Sequence, residues 1–138
     1  MGAAFEELVF LRSRIPAYAD YGDEDARHLV DKQVRAYVGE ALSLVRERAT
    51  ELSAEVSDLL ERALLMCEFT NQQLIAHLGH ARLSEIELEH LHEVDHELIS
   101  TADRAAELEV MALDTYLSEL HELFARRAKA VAWVDDRR

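Results

Sequence analysis

The sequence predicts an all-α fold, an antiparallel four-helix bundle with a short N-terminal helix packed on it, formed as a single helical domain over residues 1–138. Three observations carry this expectation. Apolar residues recur every three or four positions along the chain, and no segment alternates as a strand would. One Pro and four Gly leave little turn-forming material, so the elements must be few and long. With 49% of its residues hydrophobic, a chain of 138 residues can bury one continuous core.

Residues 3–15 form a short amphipathic segment with Phe5, Leu8, Val9 and Ile15, closed by Pro16, which disfavours helical geometry in the residue before it. The polar turn Asp20-Tyr-Gly-Asp-Glu-Asp25 offers the next helix start. From it Ala26, Val30, Val34, Tyr37, Ala41, Leu44 and Val45 make one apolar stripe that runs to about Ala49. Ser53 is the cap expected for a helix over 54–78, whose stripe is Val56, Leu60, Ala63, Cys67, Leu74 and Leu78, with Gly79 as terminator. Leu65, Phe69 and Ala76 form a second apolar face on that helix. The N-terminal segment is expected to cover it, the alternative being a partner subunit.

Ser84 and Glu87 make a capping box, and Leu83 with Leu88 a hydrophobic staple across it, so a helix begins at Glu85. Its pattern runs through Leu91, Val94, Leu98, Ala102 and Ala105. It then changes phase to Val110, Leu113, Leu117, Leu120, Phe124 and Val131, which predicts a break near residues 100–110 with Ser100, Thr101 or Asp103 as cap. The alternative is a long helical hairpin in which 24–78 and 85–134 are each unbroken. Helices over about 25 residues without internal caps are uncommon in globular domains, which favours four main helices. Leu91, Leu117 and Phe124 are the expected core residues.

Charge narrows the function. Residues 51–124 carry 17 acidic and 3 basic groups, and the whole chain has a net charge of -13, the wrong sign for binding nucleic acid. The basic cluster Arg126, Arg127 and Lys129 is too short to reverse this, and a local role near a helix end is expected for it. Glu6 and Glu7 interrupt the only apolar stretch near the start, so neither a signal peptide nor a membrane span is expected. The single Cys67 cannot make an intramolecular disulfide and is read as a small buried hydrophobe in a cytoplasmic protein.

One run could carry chemistry. His92-Glu-Val-Asp-His96 has the His-Glu-x-x-His spacing that sets two imidazoles on one helical face, and His90, Glu89 and Glu93 lie beside it as further metal ligands. Against that reading, Asp95 falls between the Glu and the second His, and the helical phase turns His92 and His96 away from the apolar stripe onto a solvated acidic face. A di-iron bundle needs Glu-x-x-His on two helices, and here the motif is confined to one. A second candidate pocket comprises His77, Thr70, Asn71 and His121, although a hydrogen-bonded core histidine is the more frequent explanation for His77. The function expected is therefore a non-enzymatic interaction or adaptor module without a cofactor, a homodimer or the partner of another protein, with Leu65, Phe69 and Trp133 as interface residues. The alternative is a metal-binding bundle, a hydrolase or oxidase holding zinc or another divalent transition metal at His90, His92 and His96.

Overall fold

The computed structural model describes residues 3–49, 51–68 and 82–136. These form α1 (Ala3–Arg14), α2 (Glu24–Arg48), α3 (Ala54–Glu68), α4 (Glu85–Asp103) and α5 (Leu113–Asp136), with two short 3-10 turns, Arg104–Glu107 and Val110–Ala112, between the last two. No strand occurs among the described residues. The helix starts follow local chemistry. Asp23, with extended backbone, accepts from the Ala26 amide at 2.7 Å, Ser53 Oγ accepts from the Val56 amide at 3.2 Å, and Ser84 and Glu87 complete a reciprocal capping box. Leu83 and Leu88 both pack against the core beside it.

Four helices form a closed ring in which α2 neighbours α3, α3 neighbours α5, α5 neighbours α4 and α4 neighbours α2. Side-chain pairs give the directions. Arg46 meets Glu61 and Arg35 meets the Cys67 carbonyl, so α2 and α3 are antiparallel. Arg126 meets Glu97 and the Tyr116 hydroxyl meets the Thr101 carbonyl, so α4 and α5 are antiparallel too. The chain thus builds two antiparallel hairpins and packs them side by side. Gly39 lets α2 and α3 approach closely, since a Cβ there would stand 3.2 Å from that of Cys67. Val30, Val34, Val38, Leu60, Leu91, Leu98, Leu117 and Leu120 fill the centre.

Both breaks inside the hairpins are real, which overturns the alternative of two uninterrupted long helices. Ala49 turns to extended geometry after α2, and Leu108 and Glu109 do so between the two 3-10 turns. Arg48 stabilises the second break by donating to the carbonyls of Ala105, Ala106 and Leu108 at 2.8, 2.7 and 3.1 Å. The expected caps there are wrong. Thr101 is buried within α4, and Asp103 makes no side-chain cap bond but accepts from the Tyr37 hydroxyl and from Arg14. Phe124 is only partly buried, whereas Leu91 and Leu117 are core.

The position of α1 also differs from the expectation. Among the described elements it packs on α4 alone, not on the second face of α3. The reason lies in α4, whose supposedly solvated side offers His96 to Phe10 and Glu7 of α1 and His92 to Tyr18, Asp20 and Tyr21 of the chain that follows. The part of the predicted helix beyond Glu68, with Phe69 and Ala76, lies outside the described residues. Cutting a fully buried ring residue such as Leu117 to Ala is expected to lower stability by about 2–5 kcal/mol. A denaturant midpoint unchanged from the parent would contradict this packing.

Candidate functional site

The densest set of polar side chains is not the His-rich run but a cluster at the bundle centre, organised by Arg127. Arg127 lies on the stripe of Leu120, Leu123, Val131 and Val134, so its helix sends it inward. From α5 its Nε donates to Asp95 Oδ1 on α4 at 2.9 Å, and its Nη1 donates across the ring to Asp31 Oδ1 on α2 at 2.6 Å. Tyr18 donates to Asp95 Oδ2 at 2.8 Å, Tyr21 donates to the same oxygen, and Arg127 Nη2 reaches the Tyr21 oxygen at 3.3 Å. The remaining oxygen of Asp31 accepts from Arg35 Nε at 2.9 Å. Arg127, Asp31, Asp95 and Tyr21 are all almost completely buried.

The electrostatics suit a permanent lock. Burial works against the Arg127 charge, but Tyr21, Asp95 and Asp31 outweigh it and hold the guanidinium charged. Burial, followed by the negative charge of Asp95, pushes the Tyr18 and Tyr21 hydroxyls well above their ordinary value, so they remain protonated donors. Both oxygens of each carboxylate accept hydrogen bonds within the cluster. The expectation that Arg126 and Arg127 serve the end of their own helix is corrected here, because Arg127 joins three elements and Arg126 pairs with Glu97 at 2.6 Å. A signal for this was present in the sequence. Asp31, Asp95 and Arg127 each occupy a position on an apolar stripe, and their charges are complementary.

A second cluster lies between α1 and α4. His92 is not solvated, its side chain being only 4% exposed, and its Nε2 lies 2.6 Å from Asp20 Oδ1. Asp20 is held for this contact in the left-handed region at φ 62°, a conformation that a short polar side chain tolerates. Burial raises its carboxyl, but the hydrogen bond and charge of His92, with the Tyr21 amide, outweigh burial and hold it below the usual range. His96 Nδ1 lies 3.7 Å from Glu7 Oε1, and its ring packs on Phe10 at 4.2 Å. His90 turns the other way, against Trp133 at 4.7 Å.

His92 and His96 both act on Glu7, while His90 turns to Trp133. Glu93 is exposed and Glu89 partly buried, and among the described residues no three His, Cys, Asp or Glu side chains are grouped to hold a metal ion. Of the second predicted pocket, His77, Thr70 and Asn71 lie outside the described residues, while His121 is partly buried with its Nε2 lacking a hydrogen-bond partner. Burial pushes the Cys67 thiol up to about 12, against the opposing charge of Arg35, so it is not a thiolate nucleophile at neutral pH. Of the predicted interface residues, Leu65 is 49% and Trp133 37% exposed, and Phe69 lies outside the described residues.

The described residues line open grooves. One of about 480 Å³ between α4 and α5 is lined by His96, Glu97, Glu119, Glu122 and Arg126. Another of about 750 Å³ joins the starts of α3 and α5 through Glu55, Leu59, Asp114 and Glu122. A third, of about 380 Å³, runs past His90, Val94, Lys129, Ala130 and Trp133. No described helix is long and apolar enough to cross a membrane. No protein-family model matches the chain, and none of the curated proteins or solved structures is significantly similar to it.

The tyrosines, two of them in the cluster, predict an unusual titration. Tyr18, Tyr21, Tyr37 and Tyr116, all four tyrosines of the chain, have their hydroxyls raised above 10.0, with burial the first cause in each case. Such groups contribute stability below the unfolded-state value that is lost as pH rises through the folded-state value. Ultraviolet absorbance should therefore detect almost no tyrosinate at about pH 10.5, where free tyrosine is largely ionised. Above that, ionisation should coincide with loss of helix. Gradual titration centred near the ordinary value in the folded protein would contradict the closed cluster.

Proposed function

We propose that the chain is a non-enzymatic cytoplasmic interaction module, which self-associates or acts as an adaptor for another protein. The observation that carries this reading is the closure of the Arg127 cluster. Its carboxylates, guanidinium and tyrosine hydroxyls hold one another at the buried centre of the bundle. Catalysis requires groups within hydrogen-bond reach of a substrate. These groups are spent on joining helices.

What the molecule offers outward are apolar side chains in an acidic surface. Leu65 projects from α3. Trp133 stands over the groove of His90, Val94 and Ala130, with Lys129 at its edge. Large aromatic and aliphatic groups of this kind supply most of the binding energy where proteins meet. The rival reading, zinc or another divalent metal at His90, His92 and His96, finds less support because a shared ligand site needs their rings to converge.

Sedimentation of the purified chain tests the proposal. Self-association is expected to shift the mass toward a dimer with rising concentration, and Leu65→Glu combined with Trp133→Glu should return it to monomer without loss of helix. A dimer indifferent to both changes would place the contact elsewhere. A monomer at all concentrations would leave only the adaptor form of the reading. One equivalent of tightly bound metal in protein purified without a metal-affinity tag would instead favour the rival.

A further inference from the structure

We infer that the outer face of α5 pairs antiparallel with the same face of a second copy of this chain, about a two-fold axis beside Ala125. Lys129 of each copy then meets Glu122 of the other, and Trp133 of each meets Ser118 at the mouth of the other's groove between α3 and α5. This rests on the reading of the chain as a self-associating module and names the face that it uses. The starting point is a row of side chains on α5. Thr115, Ser118, Glu122, Ala125, Lys129 and Trp133 follow one another at intervals of three or four residues and are all exposed. They lie on the side of the helix opposite the buried Leu120 and Arg127. Such spacing is that of a seam between two helices, and no described element covers it.

The charges along α5 are ordered. From Leu113 to Phe124 they are Asp114, Glu119 and Glu122, with no Lys or Arg, and from Ala125 to Val134 they are Arg126, Arg127 and Lys129, with no Asp or Glu. The order also suits the helix's own dipole, but that effect fades within the first and last turns, and Glu122 and Lys129 stand farther in. Their neighbours are neutralised within the chain. Glu119 pairs with Arg104 at 2.9 Å and Arg126 with Glu97 at 2.6 Å, whereas among the described residues Glu122 and Lys129 make no ion pair. With a net charge of -13 the chain repels its copies over most of its surface. The second half of α5 is where that sign reverses.

An acidic half followed by a basic half is complementary to itself when reversed, so the occupant that fits this face is a second copy. The register follows from spacing. Glu122 and Lys129 lie about 5 Å along the helix on either side of a point between Ala125 and Arg126, and Ser118 and Trp133 lie about 11 Å on either side of it. A two-fold axis through that point superposes both pairs at once. Ala125 beside the axis lets the helices approach closely. Ser118 edges the groove that also holds Val56 and Leu59, both half-buried against the core, so Trp133, 37% exposed in one copy, gains an apolar surface in the other. Leu65 stands nine residues beyond Val56 on α3, half a turn away, and has no part in this contact.

Charge exchange read by sedimentation equilibrium of the full chain tests this pairing, with circular dichroism confirming unchanged helix in every variant. Glu122→Lys alone and Lys129→Glu alone each set like charges together at two symmetric positions, and each should weaken the dimer about tenfold or more. Mixed in equal amounts, the two variants restore opposite charges at both positions, so they should associate with each other to within about threefold of the parent. Trp133→Ala should weaken the dimer about tenfold or more, and Leu65→Glu should leave it within about twofold of the parent. A parent dimer that is indifferent to both single charge changes, or variants that do not recover on mixing, overturn this face while self-association stands. A parent that stays monomeric at all concentrations overturns the pairing together with the self-associating form of the reading on which it rests.

Discussion

A guanidinium at the centre of a helical bundle constrains everything around it. Leaving such a charge unpaired in the interior costs several kcal/mol, so every donor on Arg127 demands an oxygen at a fixed distance and angle. Asp95 supplies one from α4, Asp31 one from α2 and Tyr21 one from the segment before α2. A shift of one helix by a residue would pull at least one of these groups onto a different face. The pairing of α2 with α4, the diagonal contact of α5 with α2 and the path of residues 15–23 are therefore set together. Apolar packing supplies most of the stability, but Leu and Val side chains tolerate several arrangements of two hairpins, and the ionic cluster tolerates one.

Much of this architecture was legible in the sequence, and the parts that were not share a cause. Ser84, Glu87, Ser53 and the turn around Asp23 act over three or four residues, so their roles follow from spacing alone. The break at residues 104–109 was visible as a change of apolar phase, but its stabiliser, Arg48, lies on another helix and left no local trace. His92 was misplaced for the same reason. Its helical phase correctly puts it away from Leu91 and Leu98, yet a helix face opposite the main core is solvated only if nothing packs there, and α1 does. Asp95 was read as a flaw in a metal motif when it was the more informative residue. A charge on an apolar stripe must find a partner, and Asp31 and Arg127, on stripes of their own, were the available complements. Pairing across 32 residues of chain for Asp95 with Arg127 and 96 for Asp31 with Arg127 cannot be deduced from periodicity, which reports direction around one helix and not which helices meet.

The structure grades from a rigid centre to a looser margin. The ring is tied by the core and by hydrogen bonds that water cannot reach. At the margin α1 rests on one helix, through contacts that include titratable groups and one exposed ion pair. Function of the kind proposed uses the surface, where Leu65 and Trp133 lie, while the centre keeps the scaffold unique. The chain thereby separates specification of its fold from contact with its surroundings, and its ionisable residues divide accordingly: Arg127, Asp31 and Asp95 inward, Glu7, His92 and Asp20 at the seam, and the acidic grooves outside.

The central claim is that Arg127 and Asp95 act as one unit that fixes the bundle. A double-mutant cycle measures this directly, using Arg127→Met, Asp95→Leu and the two combined, with stability taken from denaturant unfolding. Each single change leaves a charge buried without its main partner and should cost about 3–5 kcal/mol. The double change removes one positive and one negative charge and leaves Asp31 with Arg35, so it should cost less than the sum of the singles by about 2 kcal/mol or more. Additivity within about 0.5 kcal/mol would show that the two residues contribute independently, and the account of the cluster as a lock would be wrong.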